Sequence, residues 1–511
     1  MAGKAFNNER RIVFMKKALA MTLGALLVAG SAAPAFAASQ IDFSGYYRTI
    51  FANQWNQSLT GKLDRDVTLP IAVGDIPAGT YPKGTDFRTN DSYFVNRLHL
   101  DFGFHATDEV SVYWALRAPS AQRWGGQGNA HASGNLKDDG TLGATTYHAY
   151  GEVKQDWGTV SIGRLNAAYS YLGLASVGYD PGGVDSNLTA WGIYDLTSDP
   201  MDGIRFANRW DSGFQLVAQF NRLATGQYYV PPVGYGDEES SDLFILQPSF
   251  HWDTGAASLA MIYLHDQANQ VLDLDIYAPS TRAFLLNPAF AQSFGDLTTH
   301  FEAMLGWGKI KALKVGDPTA EDKASGYSFY LDLDYNYGPG NVMLAGWWAS
   351  GTGKDDTKIK SLVSPTMSHL GQGGDAFVPF LVAYGDGALY GRQALNAVAM
   401  ANAFSGPENI VDALLGSDSN HWALALNGGH AFTDDLTLKY TLGYLSLNKV
   451  REGAKKDIGW EADLGLQVNL LDNLGFRTTA GYLFAGKALD AAEDMKAKDA
   501  YSWYNTLIFR F

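Results

Sequence analysis

The stretch Tyr501–Phe511, YSWYNTLIFRF, decides how the rest of the chain is read. Every second residue back from its end gives Phe511, Phe509, Leu507, Asn505, Trp503 and Tyr501. The other phase holds Arg510, Ile508, Thr506, Tyr504 and Ser502. Successive side chains of a β-strand point to opposite faces, so this strand has one aromatic and aliphatic face and one largely polar face. A strand that stops on Phe, its main-chain carboxylate beside an apolar ring, sits poorly at the edge of a soluble sheet. It suits a strand with one face in lipid and its last ring at a membrane interface. The competing reading is an edge strand of a soluble sandwich, and eleven residues do not separate the two.

The other end of the chain supplies an address. Lys16 and Lys17 precede an apolar run from Ala18 to Gly30, and Ala35-Phe36-Ala37 follows as a small-x-small cleavage site. That is the pattern of a secretory signal peptide, residues 1–37, to be set aside before fold reasoning. Met15 is an alternative start, since Met1–Phe14 adds nothing such a signal needs. Residues 1–37 hold five of the 38 Lys and Arg and one of the 53 Asp and Glu, so residues 38–511 carry 33 against 52, a net charge of −19. An acidic chain argues against nucleic-acid binding. The absence of Cys excludes a disulfide scaffold and thiolate chemistry. No later stretch offers the ~20 consecutive apolar residues a membrane helix requires. Only helices and closed barrels satisfy every backbone polar group in lipid, so a membrane reading of this chain demands a barrel.

Period-two alternation recurs along residues 38–511, read as a single domain. Phe94 to Phe104 sets Leu98, Leu100, Phe102 and Phe104 against Arg97, His99, Asp101 and Gly103. Ile458 to Leu470 is the cleanest case, with Trp460, Ala462, Leu464 and Leu466 alternating with Glu461, Asp463, Gly465 and Gln467. A soluble sandwich would alternate in the same way, so connection lengths decide. Tight links rich in Asp, Asn, Gly and Pro, such as Asp253-Thr254-Gly255 and Gly338-Pro339-Gly340-Asn341, take turns with long ones: 54–91, 119–143, 166–201, 223–241, 265–296, 351–419, 448–457 and 487–499. Short turns at one end and long loops at the other are the asymmetry of an outer-membrane barrel, short side periplasmic. The expected fold is all-β, a transmembrane antiparallel β-barrel in the bacterial outer membrane. Seventeen strands are recognisable from 41–53 to 500–511. An even count requires either sixteen, or eighteen with a further strand hidden in Asp266–Gly295, the candidate being Val271–Tyr277.

Several patterns look chemical and fail. Asp332-x-Asp334-x-Asn336 resembles a calcium loop, but Tyr337 stands where the turn needs Gly. Gly351-Thr352-Gly353-Lys354 is followed by Asp355, where a phosphate-binding loop needs Ser or Thr. The ten His include no HExxH, and there is no GxSxG. No enzymatic activity, catalytic residue or resident metal is expected. The run Asp237-Glu238-Glu239 reads as solvated charge, with Ca²⁺ in an acidic external loop as the alternative.

Two stretches carry a resemblance. Trp503, Leu507, Phe509 and Phe511 resemble the C-terminal signal of bacterial outer-membrane barrels, which implies recognition by the barrel assembly machinery. Gly158-Thr159-Val160-Ser161-Ile162-Gly163-Arg164 closes the fifth predicted strand and resembles the trimeric general porins, whose fifth strand ends in a similar GTVxxGR. The overall cast is also similar to the homotrimeric porins of sulfate-reducing bacteria. The resemblance implies a homotrimer in outer-membrane lipid and a third external loop, here 166–201, folded inward with acidic side chains. Asp180, Asp185, Asp195 and Asp199 are the candidates. Arg48, Arg97, Arg117, Arg205 and Arg209, each in the polar phase of its strand, with Arg164 at a strand end, form the candidate basic wall. The family's Pro-Glu-Phe-Gly-Gly motif is missing, Asp180-Pro181-Gly182-Gly183 being the nearest equivalent, and loop 351–419 is longer than that family suggests, with Ala394–Phe404 helical and apolar.

The reading is an outer-membrane porin, a water-filled channel through which small hydrophilic solutes and ions diffuse. A substrate-specific channel for sugars or organic anions is the alternative. It needs an aromatic slide or tailored groups, and the inward phases offer scattered Tyr46, Tyr113 and Tyr330. An outer-membrane lipase or protease would need a Ser/His or Asp/His pair near one rim, which no spacing suggests. From a different class, a secreted or surface β-protein binding glycans would share the alternation but not the loop asymmetry.

Overall fold

The computed structural model describes residues 40–55, 67–69, 79–82, 90–124, 145–165, 201–225, 240–266, 281–311, 321–351, 360, 420–450, 455–490 and 496–511. The expected signal peptide, the expected helix at 394–404, loop 351–419 apart from Gly351 and Lys360, and Asp237-Glu238-Glu239 lie outside the described residues. Strand β1 is Gln40–Trp55, and a small hairpin of β2 Val67–Leu69 and β3 Gly79–Tyr81 follows. Then come the pairs β4 Asn90–His105 with β5 Val110–Trp124, β6 Thr145–Gln155 with β7 Gly158–Leu165, and β8 Met201–Arg209 with β9 Phe214–Thr225. Next are β10 Ser240–Trp252 with β11 Gly255–Asp266, β12 Thr281–Phe294 with β13 Leu297–Lys311, and β14 Glu321–Asn336 with β15 Gly340–Ala349. Last come β16 His421–Thr433 with β17 Leu436–Leu447, β18 Asp457–Leu471 with β19 Leu474–Ala485, and β20 Ala500–Arg510.

All strands except β2 and β3 join one eighteen-stranded antiparallel sheet in chain order. The sheet closes because β1 pairs with both β4 and β20, Tyr47 standing opposite Leu98 on one side and Phe509 on the other. Main-chain bonds between Gly45 and Phe511, 2.9 and 3.1 Å, complete that seam. Closure leaves no sheet edge with unpaired amides, which is what lipid demands of a β-structure. Eighteen strands is thus the count, not sixteen.

The hidden strand is β12, and it lies after the Val271–Tyr277 candidate, which falls outside the described residues. Its sequence hides it. Both phases are largely apolar, Ala283, Leu285 and Ala289 facing one way and Phe284, Leu286 and Phe290 the other. Pro288 interrupts it, yet the ladder to β13 resumes in unchanged register, from Leu286–Leu305 to Ala289–Glu302. The turn to β13 is Gly295-Asp296, with Gly295 at φ 64°, a left-handed conformation that glycine adopts without a Cβ penalty. Gly213 and Gly338 do the same in two other short turns, at φ 83° and 90°.

All eight tight turns, of two to four residues, lie at one end of the barrel with the start of β1 and the end of β20. The connections at the other end are nine residues or longer. The short end is periplasmic and the long end extracellular. Burial inverts the soluble pattern. On β18, Trp460 is 53% and Leu464 56% exposed, whereas Glu461 is 0% and Asp463 4% exposed. The apolar phase therefore faces outward and the charged phase inward. Phe244, Leu246, Phe250, Leu331, Leu333, Leu424, Leu426 and Leu442 repeat the outward exposure around the sheet.

Candidate functional site inside the barrel

The inward phase of β1 carries Tyr46, Arg48, Ile50 and Ala52. Arg48 is 2% exposed and stands in register with Arg97 of β4 and Ile508 of β20. One step nearer the periplasm, Tyr46 faces His99, their rings stacked at 5.2 Å with 9° between planes, and His99 Nε2 lies 2.9 Å from Asp101 Oδ1. Arg117 of β5 is in register with His99. The side chains of Arg97 and Arg117 lie outside the described residues, so their place is a register position only. On β8, Arg205 is buried on the inward phase, across Ser161 from the buried Glu152. Glu152 accepts a bond from Ser161 Oγ at 3.1 Å and has Lys154 Nζ at 3.5 Å.

Two members of the expected basic wall are placed elsewhere. Arg209 shares the phase of Arg205 but is exposed at the last residue of β8, at the periplasmic rim. Arg164 is in register with Ala149 and Asp202, the phase of the outward Ile162 and Ile204. Strand alternation puts it outside the inner wall: position at a strand end did not fix the phase, and the phase is outward. Asp180, Asp185, Asp195 and Asp199 lie outside the described residues.

Acidic groups line the opposite wall. In a ring of eighteen a strand's counterpart is nine places away, so β13 faces β4 and β14 faces β5. Glu302 of β13 is fully buried and accepts from Asn287 Nδ2 at 2.7 Å, while that same nitrogen donates to the Ala303 carbonyl at 2.8 Å. On β14, Asp332 is fully buried, takes the Tyr330 hydroxyl at 2.7 Å on Oδ2, and has His300 Nδ1 at 2.7 Å from Oδ1. Asp334 accepts from Asn341 Nδ2 at 2.9 Å. Glu461 and Asp463 of β18 extend the inward carboxylates round the ring. These acids were visible in the polar phases of their strands. Their role was not, because facing across a barrel is a property of ring order, and ring order needs the strand count.

Two of the scattered tyrosines, Tyr46 and Tyr113, meet other inward rings. His105 and Tyr113 meet edge to face at 5.8 Å, Tyr113 stacks on Tyr150 at 5.0 Å, and Tyr150 meets His148 at 6.4 Å. This group and the separate Tyr46–His99 stack lie on the inward side of β1, β4, β5 and β6, of which β1, β4 and β5 carry Arg48, Arg97 and Arg117. Tyr330 stands apart, bonded into the acidic wall. Among the described residues no group of three His, Asp or Glu is arranged to hold a metal ion.

A closed eighteen-stranded sheet with an apolar outside and a charged, polar inside is a transmembrane β-barrel of the bacterial outer membrane. No protein-family model matches the chain, and no curated protein matches it. Solved structures do resemble it. OccAB1 of Acinetobacter baumannii shares 13% identity over 92% of this chain and 96% of that one, with a TM-score of 0.49. OccK9 (OpdG) of Pseudomonas aeruginosa shares 13% over 92% and 98%, TM-score 0.49. A BenF-like porin from Pseudomonas fluorescens Pf-5 shares 10% over 92% and 98%, TM-score 0.49. At such identities the solutes and binding residues of those proteins stay with them. The barrel described here stands on this chain's own strand pairing.

Proposed function

We propose that the protein is a passive outer-membrane channel for small hydrophilic solutes, its selectivity set by oppositely charged arcs across the barrel interior. The observation that carries this reading is the placement of Glu302 and Asp332 opposite the strands of Arg97 and Arg117, next to Arg48. Facing rows of unlike charge make a transverse field, which orients a dipolar or zwitterionic solute as it passes. The inward rings beside the basic arc favour, within this reading, anionic solutes that also present a flat face, because guanidinium pairs with carboxylate and rings stack. Loop 166–201 belongs to the same proposal as a second source of carboxylates.

Planar-bilayer reversal potentials in asymmetric salt test it. Glu302→Gln with Asp332→Asn shifts the reversal potential toward anions, and Arg48→Ala with Arg205→Ala shifts it toward cations. Asp180→Asn with Asp185→Asn moves it toward anions only if the loop contributes. Unchanged potentials in both wall variants at low salt would mean the arcs do not govern permeation.

A further inference from the structure

At the extracellular ends of β15, β16 and β17 the chain is tied by more than the strand ladders. Ser350 follows β15, Asn420 precedes β16, and Asn448 and Lys449 follow β17. The Asn420 N–H donates to the Ser350 carbonyl at 3.0 Å, and the Asn448 N–H donates to the Asn420 carbonyl at 2.9 Å. The Asn420 side chain adds a clamp of two further bonds. Its Nδ2 donates to the Lys449 carbonyl and its Oδ1 accepts from the Lys449 N–H, both at 2.9 Å. The amide thus meets Lys449 as a paired residue of a neighbouring strand would. Around it, Asn448 Nδ2 donates to the Ala349 carbonyl, and Ser350 Oγ accepts from the Tyr327 N–H at 2.9 Å while donating to the Lys360 carbonyl.

Two features mark Asn420 as a built joint. It has φ 65°, the single non-glycine residue with positive φ among the described residues. Asn enters that left-handed region more readily than most residues, because its short amide bonds to nearby main chain. The second feature is Gly351. A Cβ at that position would overlap Oδ1, Cγ and Cβ of Asn420, so glycine leaves the room that the amide fills. The joint is also closed from solvent on this side, Ser350 being 3% and Asn420 8% exposed.

What the joint holds is the connection between β15 and β16. Residues 352–419 depart from Gly351 and return at Asn420, so both stems meet there, and Lys449 opens the connection after β17. A connection of that length has the reach to touch any part of the barrel mouth, so the way its stems are held bears on what passes. We infer that Asn420 is a positioning residue of the channel. Its amide clasps both stems of 352–419 to the connection after β17, and the clasp keeps the conducting state steady. This role rests on the channel reading above. It concerns the constancy of the current, whereas the wall charges concern its selectivity.

The test uses the full chain, first on intact cells and then purified into planar bilayers. Asn420→Gly keeps the left-handed backbone and removes both side-chain bonds. Gly351→Ala leaves Asn420 in the sequence and displaces its amide. Each variant speeds trypsin cleavage after the exposed Lys449 by about tenfold, as expected when two bonds that hold its main chain are lost. Each also raises open-channel current fluctuations severalfold, while the reversal potential in asymmetric salt stays at the wild-type value. In the Asn420→Gly background Gly351→Ala adds nothing, because the atoms its Cβ would strike are gone. Thr433→Ala removes a hydroxyl that accepts the Asp435 N–H at the other end of β16, and it leaves both readouts unchanged. Unboiled gel migration confirms that each variant is a folded barrel. Wild-type cleavage and fluctuations in Asn420→Gly overturn the inference, by showing that only the backbone conformation matters. Faster cleavage with wild-type fluctuations overturns the positioning role, and additive effects of the two variants overturn the clasp. A wild-type chain that carries no current overturns the channel reading and this role with it, whereas the cleavage series still reads the clasp.

Discussion

Leu464 and Gln467 stand three residues apart on β18 and face different media. Leu464, half-exposed and near mid-strand, is cross-strand from Tyr440 and Ala480 on the outer surface. Gln467 is on the phase of the buried Glu461 and Asp463. Leu464→Arg places a charge against hydrocarbon near the bilayer midplane and costs about 2–4 kcal/mol, whereas Gln467→Lys is close to neutral. Reversible urea unfolding in phospholipid vesicles measures both, and the opposite ranking would mean that the faces are exchanged. The same logic separates the arginines. Arg48, Arg205 and Arg164 are equally charged in the sequence, yet one residue of phase decides whether a guanidinium faces the interior or the outside.

At the scale of elements, β12 and β13 show how polar groups are made tolerable inside the sheet. Asn287 is fully buried and donates from one nitrogen to both the Glu302 carboxylate and the Ala303 carbonyl. Asn287→Ala removes a donor from a buried carboxylate and lowers stability by about 1–3 kcal/mol. If the bond carries the effect, Glu302→Gln in the Asn287→Ala background costs less than Glu302→Gln alone. Additive losses in this double-mutant cycle would show that the two residues act independently. The element itself was hard to read because its two phases are equally apolar and Pro288 breaks the pattern. Periodicity signals a strand only when its faces meet different environments, and the inner face of β10 to β12, with Leu243, Ile245, Ile262, Leu264 and Leu285 all buried, is apolar as well. Seven of the eight tight turns were legible because their Asp, Asn and Gly residues follow from local conformation, whereas Gly295-Asp296 was read as part of the long link 265–296.

The whole molecule depends on the β1–β20 seam. Phe511 bonds Gly45 through its main chain, and its ring lies 5.6 Å from Phe43 and 5.8 Å from Phe509. Closure makes unfolding all-or-none for the sheet, so the folded barrel migrates anomalously in gel electrophoresis until boiled, and a single mobility with and without heating would contradict a closed barrel. Phe511→Asp lowers the heat-modifiable fraction recovered from outer membranes while leaving synthesis intact, on the proposal that this strand is read by the assembly machinery. Normal recovery would remove that role from Phe511. The homotrimer belongs to the same proposal, and native mass spectrometry in mild detergent checks it.

The alternating phases, the tight turns and the rationing of long connections to one end are local properties, each carried by a handful of neighbouring residues. They determined from the sequence alone that this chain is an antiparallel barrel with an apolar outside and a polar inside. Tertiary structure decided the rest. The strand count came from register, because β12 has no alternation to display. The placement of Glu302 and Asp332 on strands opposite those of Arg97 and Arg117 came from ring closure, which sets residues roughly 200 positions apart on facing walls. The clasp at Asn420 came from strand pairing. Ser350, Asn420 and Lys449 stand at the ends of three strands far apart in the chain, and only hydrogen-bonded register brings them to one place at the extracellular rim.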